Sequence, residues 1–493
     1  MKLEFSGHNE TYAVEQSLLS LFPGERPVYA PIAPGDPAWA KLTLSEGAVL
    51  CTARTVLSYG GVTGVGISRC RLSQDGYTRE GERRRLLELS FFKAARTVTG
   101  TTPPWGSLIG VRPDKIAVRA LETGKTPAEA RRLLRDTYFV TPSRSRLALE
   151  TASAGLAARR DLGPKDIAVY VGIPFCPTRC AYCSFVSASV EKTFAQVAPY
   201  VDALIAETRS AGRMARELGL RVRAFYMGGG TPTTLTADQM DRLLFAIEES
   251  FDLSPCGECT IEAGRPDTIT AEKLDVLKRH GTTRVSVNPQ TMEDDVLLAI
   301  GRHHTATDIE RAMELVAAAG FRHVNMDLIA GLPADTADGF RRSLDRCLTM
   351  GADNITVHTL SLKKGSAILT GGIPIPSAEA VGEMLNYADP TLRAHGYGPY
   401  YLYRQKYMSG SFENVGWCQS GTECLYNIYI MSELCSVLSL GAGGSTKMVD
   451  LAGSRISRVF NLKYPGEYGT RPEKWKSNQT AFAAFYESKG ANT

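Results

Sequence analysis

The stretch that decides the fold is Val169-Tyr-Val-Gly-Ile-Pro-Phe-Cys-Pro-Thr-Arg-Cys-Ala-Tyr-Cys-Ser-Phe185, in which an apolar, strand-like run leads into three cysteines. Cys176, Cys180 and Cys183 have the spacing C-x-x-x-C-x-x-C. A cubane iron–sulfur cluster is normally held by four thiolates, so three thiolates on one short loop leave one iron open to another ligand. The spacing therefore predicts a [4Fe–4S] cluster with an open coordination position.

The two simpler interpretations of this cysteine loop are a structural zinc site and a set of cysteines that only fill a core. A structural zinc site would need a fourth Cys or His at compatible spacing, and the sequence offers none within the loop or just beyond it. Cysteines that only fill a core would not be expected in a loop so rich in proline and polar residues. The loop resembles that of the radical S-adenosylmethionine (SAM) enzymes. The resemblance implies that the open iron binds SAM and that an electron from the cluster cleaves SAM to methionine and a 5′-deoxyadenosyl radical.

The composition is that of an ordinary soluble protein with more than one domain. The chain has 493 residues, of which 43% are hydrophobic and 22% are charged, enough for two or three domains. The net charge of +4 is too small to indicate nucleic-acid binding. Residues 1–30 lack a signal-like apolar core, and no apolar stretch reaches membrane-spanning length. Eleven scattered cysteines do not resemble a secreted disulfide framework, so we expect a cytoplasmic protein.

Residues 165–365 alternate short apolar runs with longer amphipathic segments, which is typical of βα units around a parallel sheet. The predicted strands are 167–171, 222–227, 258–262, 284–288, 323–329 and 354–360. The predicted helices between them are 194–218, 237–251, 271–280, 307–319 and 338–350. This pattern predicts an α/β fold with a partial (β/α)6 TIM-like barrel, shorter than the closed eight-unit barrel.

Two further regions flank the predicted barrel domain of residues 161–375. Residues 1–160 mix strand-like and helical stretches and predict an N-terminal accessory α+β domain. Within it, Gly60-Gly-Val-Thr-Gly-Val-Gly66 matches neither the Walker nor the dinucleotide fingerprint, so a β-turn is favoured over a phosphate-binding loop. Residues 376–493 begin with a predicted helix over 378–395 and predict a mainly helical C-terminal cap domain at the barrel mouth.

Polar residues stand at the carboxyl ends of the predicted strands, where barrel enzymes place their chemistry. In chain order they are the cysteine loop, Gly228-Gly-Gly-Thr-Pro232, Glu262, Asn288 with Gln290, Asp327, and His358 with Ser361. Such a ring predicts an active site at one end of the barrel.

Several of these residues suit the chemical groups of SAM. The glycines 228–230 let a ligand approach the backbone, so their amides could meet its amino and carboxylate groups, and Thr231 could donate a hydroxyl. Glu262 needs a cation or donors, because an unpaired carboxylate is costly to bury, and the amine or sulfonium of SAM would serve. Arg302 could pair with the SAM carboxylate, and Asp327 could accept from the ribose hydroxyls. An internal salt bridge among these charged residues is the alternative.

The remaining cysteines that stand out are interpreted as ordinary thiols. Cys256 and Cys259 have the spacing of a redox or zinc-knuckle pair, but no second pair of matching spacing accompanies them. They also precede the third predicted strand, at the end of the barrel opposite the cluster. Cys418, Cys424 and Cys435 are likewise favoured as thiols over ligands of a second cluster.

A closer resemblance rests on longer segments. Those that resemble the oxygen-independent coproporphyrinogen III oxidase family are Tyr170-Val-Gly-Ile-Pro-Phe-Cys176, Gly228-Gly-Gly-Thr-Pro-Thr233, Arg284-Val-Ser-Val-Asn-Pro-Gln290 and Asn325-Met-Asp-Leu-Ile-Ala-Gly-Leu-Pro333. Those that resemble its HemZ branch are Gly172, Pro104-Trp-Gly106, Gly110-Val-Arg-Pro113, Tyr400-Tyr-Leu-Tyr-Arg-Gln-Lys406 and Glu413-Asn-Val-Gly416. The family resemblance extends from about residue 165 to the C-terminus.

The family resemblance implies a [4Fe–4S] cluster and SAM as cofactors, with Cys176, Cys180 and Cys183 as the cluster ligands. The residues that it places against SAM are Tyr170, Tyr182, Gly229, Gly230, Thr231, Glu262, Gln290, Arg302, Asp327 and Ser361. Among these, Tyr182 would lie beside the adenine, and Tyr170 and Glu262 are implied to be catalytic.

The reaction implied is oxidative decarboxylation of two propionates of coproporphyrinogen III to the vinyl groups of protoporphyrinogen IX, a step of haem biosynthesis. It requires an electron donor and an electron acceptor, which the sequence does not identify. A tetra-anionic substrate also needs cations at the barrel mouth. The candidates, for which a plain surface role is the alternative, are Arg112, Lys363, Lys364, Arg404 and Lys406.

Two positions depart from the best-studied family members, which carry histidine where Gly172 stands and a fourth cysteine where Phe185 stands. The second departure is shared with related haem chaperones, but their C-terminal His-Asn and Tyr-Trp pattern is not visible in this sequence. A haem chaperone and a radical SAM enzyme acting on another tetrapyrrole are therefore kept as alternatives.

Overall fold

The computed structural model describes residues 1–183, 188–362, 366–405, 409–450 and 455–490. The chain forms two compact units, unit 1 over Met1–Leu149 and unit 2 over Glu150–Thr493. Unit 2 contains both the predicted barrel and the predicted C-terminal region. Within the described ranges, no helix is both long and apolar enough to cross a membrane.

Unit 1 combines helices with a five-stranded sheet of order β2-β1-β3-β4-β5. Its strands are β1 Lys2–Ser6, β2 Val28–Tyr29, β3 Ala38–Glu46, β4 Cys51–Tyr59 and β5 Val62–Cys70. Its helices are α1 Thr11–Leu21, α2 Gly76–Thr99, α3 Lys115–Glu122, α4 Pro127–Arg132, a π-helical segment Leu133–Thr137, and α5 Pro142–Arg159, which continues into unit 2. Buried and exposed residues alternate along β4 and β5, as in a sheet with one covered face.

The glycine cluster of unit 1 serves the fold. Gly60 and Gly61 form the two-residue turn between β4 and β5, with φ angles of 58° and 80°. A tight hairpin turn of this kind needs left-handed backbone, which glycine adopts at no steric cost. A Cβ on Gly66 would lie 1.9 Å from the carbonyl oxygen of Ser90 in α2. The predicted β-turn is therefore confirmed, and the later glycines let α2 pack directly on β5.

Unit 2 is built on one eleven-stranded sheet with helices between its strands. Its strands are β6 Asp166–Ile173, β9 Arg221–Gly229, β10 Cys259–Gly264, β11 Arg284–Gln290, β12 His323–Ala330, β13 Asn354–Thr359, β14 Gly398–Tyr403, β15 Asn414–Cys418, β16 Ser436–Leu440, β17 Ser445–Asp450 and β18 Arg455–Phe460, with a separate short pair, β7 Phe175–Cys176 and β8 Ala188–Ser189. Its helices are α6 Val190–Glu217, α7 Ala237–Ser250, α8 Ala271–Arg279, α9 Asp294–Ala299, α10 Ala306–Ala319, α11 Ala337–Thr349, α12 Ala367–Gly371, α13 Ala378–Ala394, α14 Leu425–Ser432, α15 Pro465–Thr470 and α16 Pro472–Gly490.

Six neighbouring strands, β6-β9-β10-β11-β12-β13, are parallel and follow one another in chain order. They match the six predicted strands, and at least one helix follows each of them. The strands are largely buried along their length, as expected where both faces of a parallel sheet are covered. The predicted partial barrel of six βα units is therefore confirmed.

The C-terminal region extends this row of strands on both sides. β16 lies parallel to β6 and continues through antiparallel β17 and β18. β15 and β14 add an antiparallel pair next to β13. The region is mainly helical, as predicted, but its strands also complete the hydrogen bonding of the first and last barrel strands.

Threonine caps fix where the loops at the carboxyl ends of the strands finish. The four caps, at the starts of α7, α8, α10 and α11, are Thr236, Thr270, Thr305 and Thr336, and each side chain accepts a bond from a backbone amide in the first turn. Such a cap contributes ~1 kcal/mol to helix stability. The loops that carry the predicted site thus run between rigid elements.

Candidate active site

The carboxyl ends of the barrel strands surround one cavity of about 390 Å³. Its wall includes every residue to which the family resemblance assigned a cluster, SAM or catalytic role, whereas Gly228 is not part of it. They are Tyr170, Cys176, Cys180, Tyr182, Cys183, Gly229, Gly230, Thr231, Glu262, Gln290, Arg302, Asp327 and Ser361. The fold therefore brings the candidate site residues together, and the role of each one stays a prediction.

The cysteine loop is anchored to the segment that follows α9. The hydroxyl of Thr178 donates to the carbonyl oxygen of Gly301 at 3.1 Å, and the amide of Ala181 donates to that of Ile300 at 2.9 Å. Hydrogen bonds from both sides of Cys180 thus fix the middle of the loop.

The three thiols do not converge on one point. Within the described part of the chain, no three His, Cys, Asp or Glu side chains are grouped as the ligands of a single metal ion are. In a cubane cluster each cysteine binds a different iron, so the sulfur atoms are spread over the cluster surface. Among the described residues, the zinc site considered from the sequence is thus not seen as a group of ligands.

The glycine turn after β9 allows two close approaches. A Cβ on Gly230 would lie 2.5 Å from the carbonyl oxygen of Phe175 and 3.0 Å from Cys176 Sγ. A Cβ on Gly228 would lie 2.8 Å from Cδ of Glu262. A Cβ at either position would be too close to its neighbours, so the two glycines let this turn pack against the cysteine loop and against Glu262.

The amides of this turn are already used within the protein. The amide of Gly230 donates to the carbonyl oxygen of Ile173 at 2.7 Å. The amide of Gly229 faces the carboxylate of Glu262 and lowers the pKa of that group. The contact of these two glycines with SAM stays a prediction, and in this structure their amides face acceptors of the protein itself.

Glu262 lies at the carboxyl end of β10, where it accepts a hydrogen bond from the hydroxyl of Tyr226 at 2.5 Å. Burial, together with the charge of Asp327, raises the pKa of Glu262 to about 7 against the opposing effect of the Tyr226 hydroxyl. A carboxylate with this pKa gains from a cationic partner, as expected for a residue that faces the amine or sulfonium of SAM.

Three tyrosines form a stack around Glu262. The ring centroids of Tyr226 and Tyr426 are 4.5 Å apart, and those of Tyr170 and Tyr226 are 6.2 Å apart, with interplanar angles of 24° and 16°. Burial raises the pKa of all three hydroxyls, so the rings stay neutral. The stack gives the cavity a flat aromatic wall.

Several lining residues were missed from the sequence. They are Tyr226 in β9, Tyr401 and Tyr403 in β14, and Tyr426 and Asn427 in α14. The period-two spacing of Tyr401 and Tyr403 could have indicated that both face one side of a strand. Nothing local to the sequence indicates that β14 and α14 reach the barrel interior.

Arg302 joins the cysteine loop to the end of β11. It is 6% exposed, and its Nη atoms donate to the carbonyl oxygen of Asn288 at 2.5 Å and to the hydroxyl of Tyr182 at 3.2 Å. Its Nε is buried without a hydrogen-bond partner. Among the ion pairs of the described residues, none joins Arg302 to Glu262 or Asp327, so the internal salt bridge considered from the sequence is not formed.

Asp327 and His358 face each other at the ends of β12 and β13, with 3.8 Å between Oδ2 and Nε2. The side-chain Nδ2 of Asn325 donates to Oδ1 of Asp327 at 2.8 Å. Burial opposes ionisation of Asp327, but His358 and Asn325 outweigh it and lower the pKa.

Gln290 has a φ of 70°, which non-glycine residues seldom adopt, and backbone strain of this kind often marks a functional position.

The expectation that Arg404 meets the substrate is wrong. Arg404 is 7% exposed, donates to the carbonyl oxygen of Ser411 at 2.7 Å, and does not line the cavity. Burial lowers its pKa to about 10. Arg112 belongs to unit 1. The other three candidates, Lys363, Lys364 and Lys406, lie outside the described residues. Phe185, where the best-studied family members carry a fourth cysteine, lies outside them too.

The cysteines interpreted as ordinary thiols are partly or fully buried. Burial raises the pKa of Cys256 to about 11 and that of Cys435 to about 12. Cys424 donates its thiol to Oε1 of Glu258 at 2.9 Å. Thiols with raised pKa values are poor metal ligands, because the thiolate is the ligating form, which agrees with this interpretation.

Comparison with known proteins assigns the family. The Radical SAM superfamily profile matches residues 170–347. The oxygen-independent coproporphyrinogen-III oxidase-like protein HemZ of Bacillus subtilis is 38% identical over 389 residues, which cover 78% of this chain and 78% of HemZ. The chain belongs to this radical SAM family. The heme chaperone HemW of the same organism is 33% identical over 307 residues, which cover 60% of this chain and 74% of HemW.

A solved structure of a radical SAM enzyme shares the fold. Coproporphyrinogen III oxidase (HemN) from Escherichia coli aligns with a TM-score of 0.52 and 23% identity, covering 65% of this chain and 72% of HemN. The HemZ match covers 78% of this chain, which is more than unit 2 contains, so it reaches into unit 1. The sequence similarity to HemZ therefore includes part of unit 1.

Members of the radical SAM family bind a [4Fe–4S] cluster and SAM, and the cavity fits both. The cysteines provide thiolates for the cluster, the unpartnered Nε of Arg302 suits a carboxylate, Glu262 suits a cation and Asp327 suits hydroxyl groups. When bound together, the cluster and SAM supply a 5′-deoxyadenosyl radical.

Proposed function

We propose that this protein is an oxidoreductase that converts coproporphyrinogen III to protoporphyrinogen IX without oxygen. The observation that carries the proposal is the 38% identity to HemZ over 78% of both chains. The single cavity that gathers the predicted cofactor residues supports it. Each of two propionates would lose a hydrogen atom, carbon dioxide and one electron and become a vinyl group, and the electron requires an external acceptor.

In this proposal the residues of the cavity have three roles: they bind the cluster, bind SAM or take part in catalysis. The cluster ligands are Cys176, Cys180 and Cys183. The residues that bind SAM are Tyr170, Tyr182, Gly229, Gly230, Thr231, Glu262, Gln290, Arg302, Asp327 and Ser361. Tyr170 and Glu262 are the proposed catalytic residues: Glu262 would hold the cationic end of the cofactor, and Tyr170 stacks beside Tyr426 and beside Tyr226, the hydrogen-bond partner of Glu262.

The tyrosine wall suits the apolar faces of pyrrole rings. Tyr170, Tyr226 and Tyr426 stack on one another, and Tyr401 and Tyr403 add further aromatic surface to the same cavity. Neutral aromatic rings favour pyrrole rings packed against them and exclude water from the reacting carbon.

A haem chaperone is the second candidate, supported by 33% identity to HemW over 307 residues. A radical SAM enzyme that acts on another tetrapyrrole is the third, since the aromatic wall would also suit such a ring. The three differ in what they consume: only the two enzymes turn over SAM, and only the proposed one releases carbon dioxide from coproporphyrinogen III.

One assay separates these functions. The protein is reconstituted with its cluster under anaerobic conditions and given SAM, a low-potential reductant, an electron acceptor and coproporphyrinogen III. We expect carbon dioxide together with the mono- and divinyl porphyrinogens. SAM cleavage that yields neither product would contradict the proposal, and transfer of haem to an acceptor protein without SAM turnover would establish the chaperone.

Matched cysteine variants serve as controls in this assay. Cys180→Ser removes a proposed cluster ligand and should abolish both the products and SAM cleavage. Cys256→Ser changes a thiol that does not line the cavity and should retain both. Equal loss in the two variants would indicate that the assay reports general thiol damage rather than the cluster.

A further inference from the structure

Arg265 is a buried cation that touches the cysteine loop. It follows β10, and its side chain is 3% exposed. Its Nη1 donates to the hydroxyl of Thr178 at 3.0 Å and lies 3.9 Å from Cys180 Sγ, within hydrogen-bonding range for sulfur. The guanidinium therefore points at one of the proposed cluster ligands.

Asp267 fixes the orientation of this guanidinium. Nε and Nη2 of Arg265 donate to the two carboxylate oxygens of Asp267, both at 3.0 Å. Such bidentate pairing sets the geometry of both groups. Because Asp267 uses the other two nitrogens, it does not stand between Arg265 and Cys180. Its side chain is 35% exposed, so water screens its charge more than that of Arg265.

His304 completes the surroundings without adding a charge toward the loop. Its Nδ1 lies 3.7 Å from Oδ1 of Asp267, and its side chain is 2% exposed. Burial, together with the nearby cations Arg302 and Arg265, lowers the pKa of His304 to about 4, so the ring is neutral. The pair of Arg265 and Asp267 thus presents its positive end to the cysteine loop.

We propose that Arg265, through its contact with Cys180, raises the reduction potential of the cluster, and that the negative charge of Asp267 reduces this effect. Reduction adds one negative charge to a cluster held by thiolates. A nearby buried cation stabilises the reduced form more than the oxidised form, and hydrogen bonds to the sulfurs act in the same direction. The inference concerns the cluster itself and holds for any substrate of this protein.

The test is a redox titration of the reconstituted protein without SAM, followed by electron paramagnetic resonance. We expect the midpoint potential of Arg265→Gln to be more negative than that of the wild type, because the cation is lost. Asp267→Asn should be shifted in the opposite direction, because Arg265 keeps its charge and loses its counter-charge. Arg265→Lys should lie between the wild type and Arg265→Gln.

Arg279→Gln is the matched control for loss of one positive charge. Arg279 lies in α8, is 63% exposed and pairs with Asp241 at 2.9 Å, so its removal should leave the potential unchanged. An unchanged potential in Arg265→Gln with an intact cluster spectrum would overturn the proposal, as would shifts of the same sign in Arg265→Gln and Asp267→Asn. If Arg265→Gln fails to hold a cluster, Asp267→Asn decides: without a shift to less negative potential the proposal fails.

Discussion

Glu262→Gln should remove a pH dependence of SAM affinity that the wild-type protein shows. In the structure, burial and the charge of Asp327 raise the pKa of the Glu262 carboxyl to about 7. A raised pKa keeps the group protonated up to neutral pH. The anion that would meet the amine or sulfonium of SAM is therefore available mainly above this pH.

The size of the effect follows from that pKa. About one tenth of the Glu262 carboxyls are ionised at pH 6 and about nine tenths at pH 8, a change of about tenfold. If SAM binds the ionised form, its Kd should be about tenfold weaker at pH 6, which is about 1.4 kcal/mol. Glutamine can still accept the hydrogen bond from Tyr226 but carries no charge, so Glu262→Gln should bind SAM more weakly at pH 8 and lack this dependence.

The assay is anaerobic equilibrium dialysis of SAM against protein with a reconstituted cluster, at pH 6, 7 and 8. The ratio of the Kd of Glu262→Gln to that of the wild type is taken at each pH, so titration of SAM itself cancels. Tyr226→Phe is the matched control: it removes a donor that lowers the pKa of Glu262, and it should move the transition to higher pH. A Kd ratio that stays constant within twofold from pH 6 to 8 would refute the assignment of Glu262 to a cationic group.

Three further predictions concern Gly230, the cysteines and the buried carboxylate of Glu207. Gly230→Ala should lose most of the cluster absorbance, because its Cβ would lie 2.5 Å from the carbonyl oxygen of Phe175, and overpacking of this kind costs ~1–3 kcal/mol. Gly81→Ala, in α2 with open space around its Cβ, is the control and should keep the cluster. Cys180→Ser should abolish the visible absorbance of the cluster, whereas Cys259→Ser should leave it intact; bleaching of both would contradict the assignment of Cys259 as an ordinary thiol. Glu207→Ala should lower the melting temperature more than Glu207→Gln, because Glu207 accepts hydrogen bonds from Gly441, Asn461 and Tyr468 at 2.5–2.8 Å, and each donor left unpaired costs ~1–3 kcal/mol. Equal melting temperatures of the two Glu207 variants in a thermal unfolding scan would show that these bonds contribute little.

At the ends of the barrel strands, some features could be predicted from the sequence and others could not. The barrel strands could be predicted because short apolar runs between glycine and proline signals have a local period. The position of Glu262 and Asp327 in one cavity could be predicted as well, since parallel strands of a barrel place their carboxyl ends at the same edge. The bond from the amide of Gly230 to the carbonyl oxygen of Ile173 could not be predicted, because it depends on how two distant parts of the chain pack.

The sequence by itself determined the cysteine loop, the order of the six βα units and the ring of polar residues at their ends, because these features depend on residues near one another in the chain. Only the tertiary structure decided that β16 lies beside β6, that Tyr426 enters the cavity and that Arg404 is buried away from it. It alone placed Arg265 against Cys180, across 85 residues of sequence. The physical reason is that local patterns encode the period of a helix or strand, whereas the partner of each buried surface depends on long-range packing, which no local pattern records.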